Sequence, residues 1–264
     1  IAWGVNGMGL VMIGLATFLV PLVLLAAWSE LDDETDERSA GYVAWILFLE
    51  AVMIGIFAAQ DVFLFYILFE VMLLPVFFLI GRYGGANRQR AAVKFLVSSL
   101  VGGLIMLVGV VAVFIMGPGG TQGFLIVILA GSISGSATAK LLVFLSFFFA
   151  FAVKAPMFPV HTWLPDATEQ APAGTSTLLV GVLDKIGTYG MIALCLPLFP
   201  EAASKAALPI MVFAVISILW GGFMAIASKD LMRLIAYTSV SHFGFMVMGI
   251  FSGNQVAMTG AILY

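Results

Sequence analysis

The stretch AFAVKAPMFPVHTWLPDATEQAP, residues 150–172, decides the fold. It opens as the end of a long apolar run, sets Lys154 inside that run, and then meets Pro156 and Pro159. Pro156 has no N–H to offer the carbonyl of Ala152, and Pro159 has none for that of Ala155, so a helix arriving here must kink or break. At membrane depth, free carbonyls are tolerated only when buried in protein or beside a cavity. Broken helices that carry a charge at the break are the usual way a membrane protein builds an ion site. The alternative is a lysine that snorkels to the interface, since the polar loop begins only a few residues later.

The rest of the chain answers whether this depth is that of a membrane. Of its 264 residues, 62% are hydrophobic and 9% charged, whereas a soluble domain carries about 25% charged residues. So few charges cannot cover a water-facing surface, and lipid must solvate much of the protein. The expected fold class is all-α, a polytopic transmembrane helix bundle with one discontinuous helix. Apolar runs long enough to cross a core of roughly 30 Å lie at about 7–28, 41–59, 62–81, 93–116, 140–156, 174–199, 207–227 and 232–251, and a ninth begins near Asn254. That gives about nine crossings, the last cut off, in a single transmembrane domain over 1–264. The chain lacks an initial Met and stops inside an apolar run at Tyr264, so it reads as a piece of a longer protein. Residues 124–130 form an apolar run too short to span and read as a segment lying in the interface.

Orientation follows from Lys and Arg in short loops. Arg82, Arg88, Arg90 and Lys94 place the loop 82–94 in the cytoplasm, and alternation then brings Arg38, Lys229 and Arg233 to the same side. Only Lys140 and Lys205 fall outside. The acidic loop from Glu30 to Glu37 contributes little to this rule.

Several chemistries are excluded. One cysteine, Cys195, allows neither an intrachain disulfide nor a cysteine-ligated cluster. Two histidines, His161 and His242, do not stand at a spacing useful for a bis-histidine site, and no dinucleotide-binding glycine motif follows a predicted strand. No basic run interleaved with aromatics points to nucleic acid.

The informative residues are the charges inside apolar spans, each costing at least about 2.5–3.5 kcal/mol at the bilayer centre. Glu50 and Glu70 sit in the middle of consecutive spans. Each is either part of a polar interior or a neutralised carboxyl tolerated at a helix contact. Asp184 and Lys185 are adjacent, about 100° apart on a helix, and so face different neighbours; the pair could also merely lower insertion cost. His242 follows Thr238, Ser239 and Ser241 along one span, either a hydrated path or a hydrogen-bonded core position. His161, beside Trp163, reads as structural. Buried Glu and Lys can approach neutrality at little cost and titrate together, which is what a proton path needs. Sodium would prefer oxygen ligands to lysine, so the lysines favour protons.

With these residues in view, the chain resembles the antiporter-like subunits of respiratory complex I, the proton-pumping NADH:quinone oxidoreductase. The resemblance is closest to their subunit M branch, the equivalent of mitochondrial subunit 4. It covers nearly the whole chain and rests on residues 150–172, on LEAVMIGIFAAQDVFLFYILFEVMLLP (49–75) and on KDLMRLIAYTSVSHFGFMVMGIF (229–251). It implies that Glu70 is the buried glutamate of the family's fifth helix and Lys154 its partner on the broken seventh. Lys185 would be the eighth-helix lysine leading to the next half-channel, His242 a member of the central hydrophilic axis, and Glu50 a supporting glutamate on the fourth helix. The spans would be helices three to eleven of fourteen. No cofactor is implied in this chain: NADH, FMN, iron–sulfur clusters and quinone would belong to partner subunits. Those partners are the other complex I membrane subunits, sister antiporter-like chains included, in a bacterial cytoplasmic membrane.

The chain departs from the family at Asn6, where Asp is frequent, at Met232, where a basic residue is frequent, and at Asp184, which could hold Lys185 charged. The inverted repeat of the family is not visible in this sequence. Two other functions share the motif or the composition: a subunit of a multi-chain sodium/proton antiporter or membrane-bound hydrogenase, and a structural membrane subunit whose charges only set assembly.

Overall fold

A computed structural model describes residues 1–28, 36–120 and 123–264, with nothing said of the Asp36 side chain. Most of the acidic loop from Glu30 to Glu37 lies outside these residues. The described chain is helical. The helices are α1 (Gly7–Ala26), α2 (Asp36–Ala58), α3 (Val62–Val71), α4 (Leu73–Tyr83), α5 (Arg88–Met116), α6 (Ile126–Leu129), α7 (Ala137–Lys154) and α8 (Trp163–Gln170). Then come α9 (Ala173–Leu178), α10 (Lys185–Gly190), α11 (Leu196–Leu198), α12 (Pro200–Ala227), α13 (Leu231–Phe251) and α14 (Gln255–Leu263).

Among the described residues, eight helical segments are long and apolar enough to cross a membrane. They match the expected spans, with α3–α4 forming one crossing and 173–198 another. The ninth expected run begins as α14, directly after Asn254. α14 has nine residues, about 14 Å at 1.5 Å per residue, roughly half the hydrocarbon core.

Two irregular ends hold the bundle in register. At one end, the turn between α2 and α3 is stitched on both sides. Gln60 N donates to Ala2 O at 3.1 Å, Val62 N to Phe124 O at 2.9 Å and Ile126 N to Gln60 O at 3.1 Å. Asp61 caps α3 by accepting from Phe63 N and Leu64 N at 2.9 and 3.0 Å. The short run near 124–130 is thus docked on this turn, with Leu129 buried and Val127 exposed. At the other end, the basic loops gather around the segment after Lys154. Lys94 Nζ donates to Thr162 O at 2.7 Å and meets Asp166 at 2.6 Å, while Arg233 meets Glu169 at 2.6 Å and Asp166 at 3.3 Å. Residues from the basic loop 82–94 and the turn near Arg233 therefore share one face, as the alternation requires.

The expected break occurs where the prolines put it. α7 ends at Lys154, Ala155 leaves helical geometry at φ −85°, ψ 89°, and the chain resumes as α8 only at Trp163. One carbonyl that the prolines cannot serve, that of Ala152, is recaptured, and so is that of Val153, which Met157 N would have served in a regular helix. Ala152 O accepts from Met157 N at 3.0 Å instead of from Pro156, and Val153 O accepts from the Trp163 indole N–H at 2.9 Å. Phe158 N donates to the fully buried Ser217 hydroxyl on α12 at 2.7 Å. Trp163, itself fully buried, packs against Phe95 of α5 with ring centroids 5.2 Å apart.

Replacing Trp163 by Phe keeps a ring in this slot and removes the donor to Val153 O. The expected cost is about 1–2 kcal/mol, seen as a lower thermal-unfolding midpoint of the detergent-purified protein. An unchanged midpoint would mean that this carbonyl finds another donor.

Candidate functional site

The broken end of α7 is the centre of the site. Lys154 is only 2% exposed, and its Nζ has no hydrogen-bond partner. The ammonium lies 5.1 Å from the ring centroid of Phe95 and 6.0 Å from that of Phe69, so two aromatic faces flank it. This is not a snorkelling lysine, because its charged end points into the bundle.

Glu70, next to Phe69, sits just before α3 gives way to α4. Met72 N still reaches Leu68 O at 3.1 Å, but Pro75 cannot serve the carbonyl of Val71. Space for the carboxylate comes from α5, where a Cβ on Gly103 would overlap the Glu70 carboxyl. Phe95, Ser99 and Gly103 follow at i, i+4, i+8 and so form one stripe of α5. The stripe carries a ring against Lys154, a buried hydroxyl without a partner at Ser99, and the notch for Glu70. Among the described residues no ion pair joins Glu70 to Lys154, and Glu70 Oε1 is buried and unpartnered. Each nonetheless lies in the other's electric field.

Lys154 has a second carboxylate neighbour. Asp184 is fully buried, and neither of its oxygens has a partner. It sits where the span 173–198 widens into π-helical turns, at Leu179–Leu183 and again at Met191–Cys195. Such turns inside α-helices frequently mark functional sites. Asp184 N bonds Leu179 O at 3.0 Å, five residues back. The carbonyl of Val180, which an α-helix would have given to Asp184 N, accepts instead from Lys185 Nζ at 3.3 Å. Lys185 Nζ also lies 5.9 Å from the ring centroid of Phe243 on α13.

Of the five residues expected to carry the function, Lys154 is buried with Asp184, and Glu70 and Lys185 are half-buried in the same part of the bundle. Glu50 is half-buried on α2, with no hydrogen bond or ion pair to the cluster, and His242 is exposed on α13 with its ring 5.5 Å from that of Tyr264. Asn6 caps α1 by accepting from Gly9 N at 2.7 Å. His161 is buried outside the spans, stacked near Phe158, and burial together with the Lys94 charge holds its imidazole below its ordinary pKa. Sequence reasoning missed Ser99 and Gly103, although their helical spacing from Phe95 was available.

A bundle of apolar spans, interrupted once at a buried lysine and threaded by a line of ionisable groups, defines a polytopic membrane protein of the antiporter-like fold. Residues 59–264 match the family model described as NADH:quinone oxidoreductase/Mrp antiporter, TM. The chain belongs to this family. It is 40% identical over 293 residues to NADH-quinone oxidoreductase subunit M of Mycobacterium tuberculosis, covering 99% of this chain and 53% of that protein. It superposes on respiratory complex I from Thermus thermophilus with bound NADH at a TM-score of 0.86 and 32% identity, covering 98% of this chain and 53% of that one. Against the Mrp complex from Dietzia sp. the TM-score is 0.75 at 27% identity, covering 84% of this chain and 24% of that one. The chain spans about half the length of the curated relatives it matches.

A Gly103→Ala replacement forces the Glu70 carboxyl out of its notch, at an expected cost of about 1–3 kcal/mol. Combined with Glu70→Ala, the clash disappears, so the two costs should be strongly non-additive. Thermal unfolding of the single and double variants in detergent reads this directly.

Proposed function

We propose that this chain is the proton-conducting part of an antiporter-like membrane subunit of a bacterial NADH:quinone oxidoreductase. It would lie in the cytoplasmic membrane beside sister subunits. The observation that carries the proposal is Lys154, buried at a helix break between two carboxylates and bonded to neither. A lysine locked in a salt bridge would be a strut. One held by field alone, between aromatic faces, can shift toward either carboxylate and change its proton affinity as it does so. Glu70 and Lys154 form the switchable pair, and Lys185 passes the proton onward. Glu50 and His242 take supporting positions nearer the periphery. NADH, flavin, iron–sulfur clusters and quinone are assigned to other subunits, whose electron transfer drives the switch. The 40% identity to subunit M of a quinone oxidoreductase, against 27% to the Mrp complex, supports this over a sodium/proton antiporter.

The test is NADH-driven proton pumping in membranes from chromosomal variants of the full-length chain, with assembly checked on native gels. Glu70→Gln removes one of the counter-charges of Lys154 and is expected to stall pumping, while Glu70→Asp retains the charge and impairs less. Lys154→Ala is expected to resemble Glu70→Gln, and the double variant to be no worse than either, because both act on one step. Normal pumping by an assembled Glu70→Gln complex would falsify the pair as a required element. Loss of assembly in every variant would favour a structural role.

A further inference from the structure

Asp184 is a fully enclosed carboxylate that the Glu70–Lys154 step leaves without a task. A carboxylate with no donor on either oxygen is costly to bury, and a residue kept only for packing would be apolar. Its direction is fixed by its neighbours. Gly187 lies three residues on, and so on the same face of the helix. A Cβ at Gly187 would stand 2.5 Å from the Ala155 amide nitrogen and 2.6 Å from the Phe151 carbonyl oxygen. The face shared by Gly187 and Asp184 is therefore pressed against the broken end of α7, where the Lys154 ammonium lies unpartnered. Lys185 is rotated by about 100° from Asp184. It reaches back to Val180 O and across to Phe243, beside a cavity of about 120 Å³ also lined by Thr188, Tyr189 and Met246. Asp184 is in the electric field of both lysines.

We propose that Asp184 is the proton relay between Lys154 and Lys185, and that it competes with Glu70 for the Lys154 ammonium. The proposal rests on the chain being a proton-translocating unit. In the first step an N–H bond of the Lys154 ammonium breaks and an O–H bond forms on Asp184, leaving a neutral amine and a carboxylic acid. In the second step that O–H bond breaks as the neutral Lys185 amine takes the proton, restoring the carboxylate and creating an ammonium. Each step converts a cation and an anion into two neutral groups, or the reverse. The proton crosses the helix without a lone charge standing in the low-dielectric interior.

The intact complex containing the full-length chain, in native membranes, provides the test. Asp184→Asn preserves the side-chain shape and removes the carboxyl that takes up and releases the proton. It is expected to assemble and to lower NADH-driven proton uptake by about tenfold or more, whereas Asp184→Glu is expected to retain most of it. Infrared difference spectra on adding NADH, with aspartate carboxyls isotopically labelled, give a readout that a packing or insertion role does not move. A labelled carboxylic-acid band should change during turnover and be absent in Asp184→Glu. Normal uptake by assembled Asp184→Asn, with Glu70→Gln and Lys154→Ala both stalled, overturns the relay and leaves the proposed function standing. Normal uptake in all three overturns both. If Asp184→Asn does not assemble, the spectra decide: a band that Asp184→Glu removes supports the relay, and a spectrum unchanged by that replacement overturns it.

Discussion

The structure depends on one constraint: no backbone carbonyl can be left bare at membrane depth, where each costs several kcal/mol. Pro156 and Pro159 would orphan two of them in the middle of a bundle. Much of the surrounding architecture is the response. Met157 N takes up the carbonyl of Ala152, the Trp163 indole closes on that of Val153, and the Ser217 hydroxyl receives Phe158 N. Because Trp163 comes from the segment after the break and Ser217 from α12, the break is held open by elements far apart in sequence. Lys154, the last residue of the intact helix, is thereby fixed at a point where its backbone cannot relax into a continuous helix.

The same constraint acts a second time in the span 173–198, without a proline at the critical place. There the chain widens, Asp184 N skips to Leu179 O, and the bypassed Val180 carbonyl is given to the Lys185 ammonium. One lysine sits at a broken helix and the other at a widened one. In both, irregular backbone supplies polar groups that a regular helix would have consumed, and glycine permits the approach. Gly103 clears a notch for Glu70, and Gly187 lets the widened helix lie directly on the broken one.

What was legible in the sequence was whatever depends on composition and local chemistry. Apolar run lengths placed the ends of the crossings to within about seven residues, and two prolines placed the break. The basic loops gave the face on which Lys94 and Arg233 now meet Asp166. What was not legible depends on which helix faces which. The role of Trp163 was not legible because its acceptor, Val153 O, becomes available only once the helix has broken. Helical geometry already showed that Asp184 and Lys185 face different neighbours, but which neighbours depends on packing, with Gly187, one turn on from Asp184, pressed against the broken end of α7. On α13, Phe243 lies over Lys185 and the adjacent His242 lies beside Tyr264, an arrangement that a Ser/Thr/His pattern along one helix does not display.

A line of charges that form no ion pairs with one another is expensive, and the expense argues against a purely structural role. Where charge serves cohesion in this protein, at the loop face, the pairs are closed: Lys94 with Asp166 at 2.6 Å and Arg233 with Glu169 at 2.6 Å. Both pairs are partly solvent-exposed, where an ion pair contributes little, on the order of 1 kcal/mol or less. In the interior, Glu70, Lys154 and Asp184 form no ion pair with one another, and each keeps an unpartnered polar atom. Selection for stability alone would close these pairs or replace them with apolar residues, since a well-packed apolar substitute is often as stable as a buried ion pair or more so. Instead the Lys154 ammonium is flanked by the rings of Phe69 and Phe95, and the Glu70 carboxyl occupies the space that Gly103 leaves, so neither group contributes an ion pair to the cohesion of the bundle.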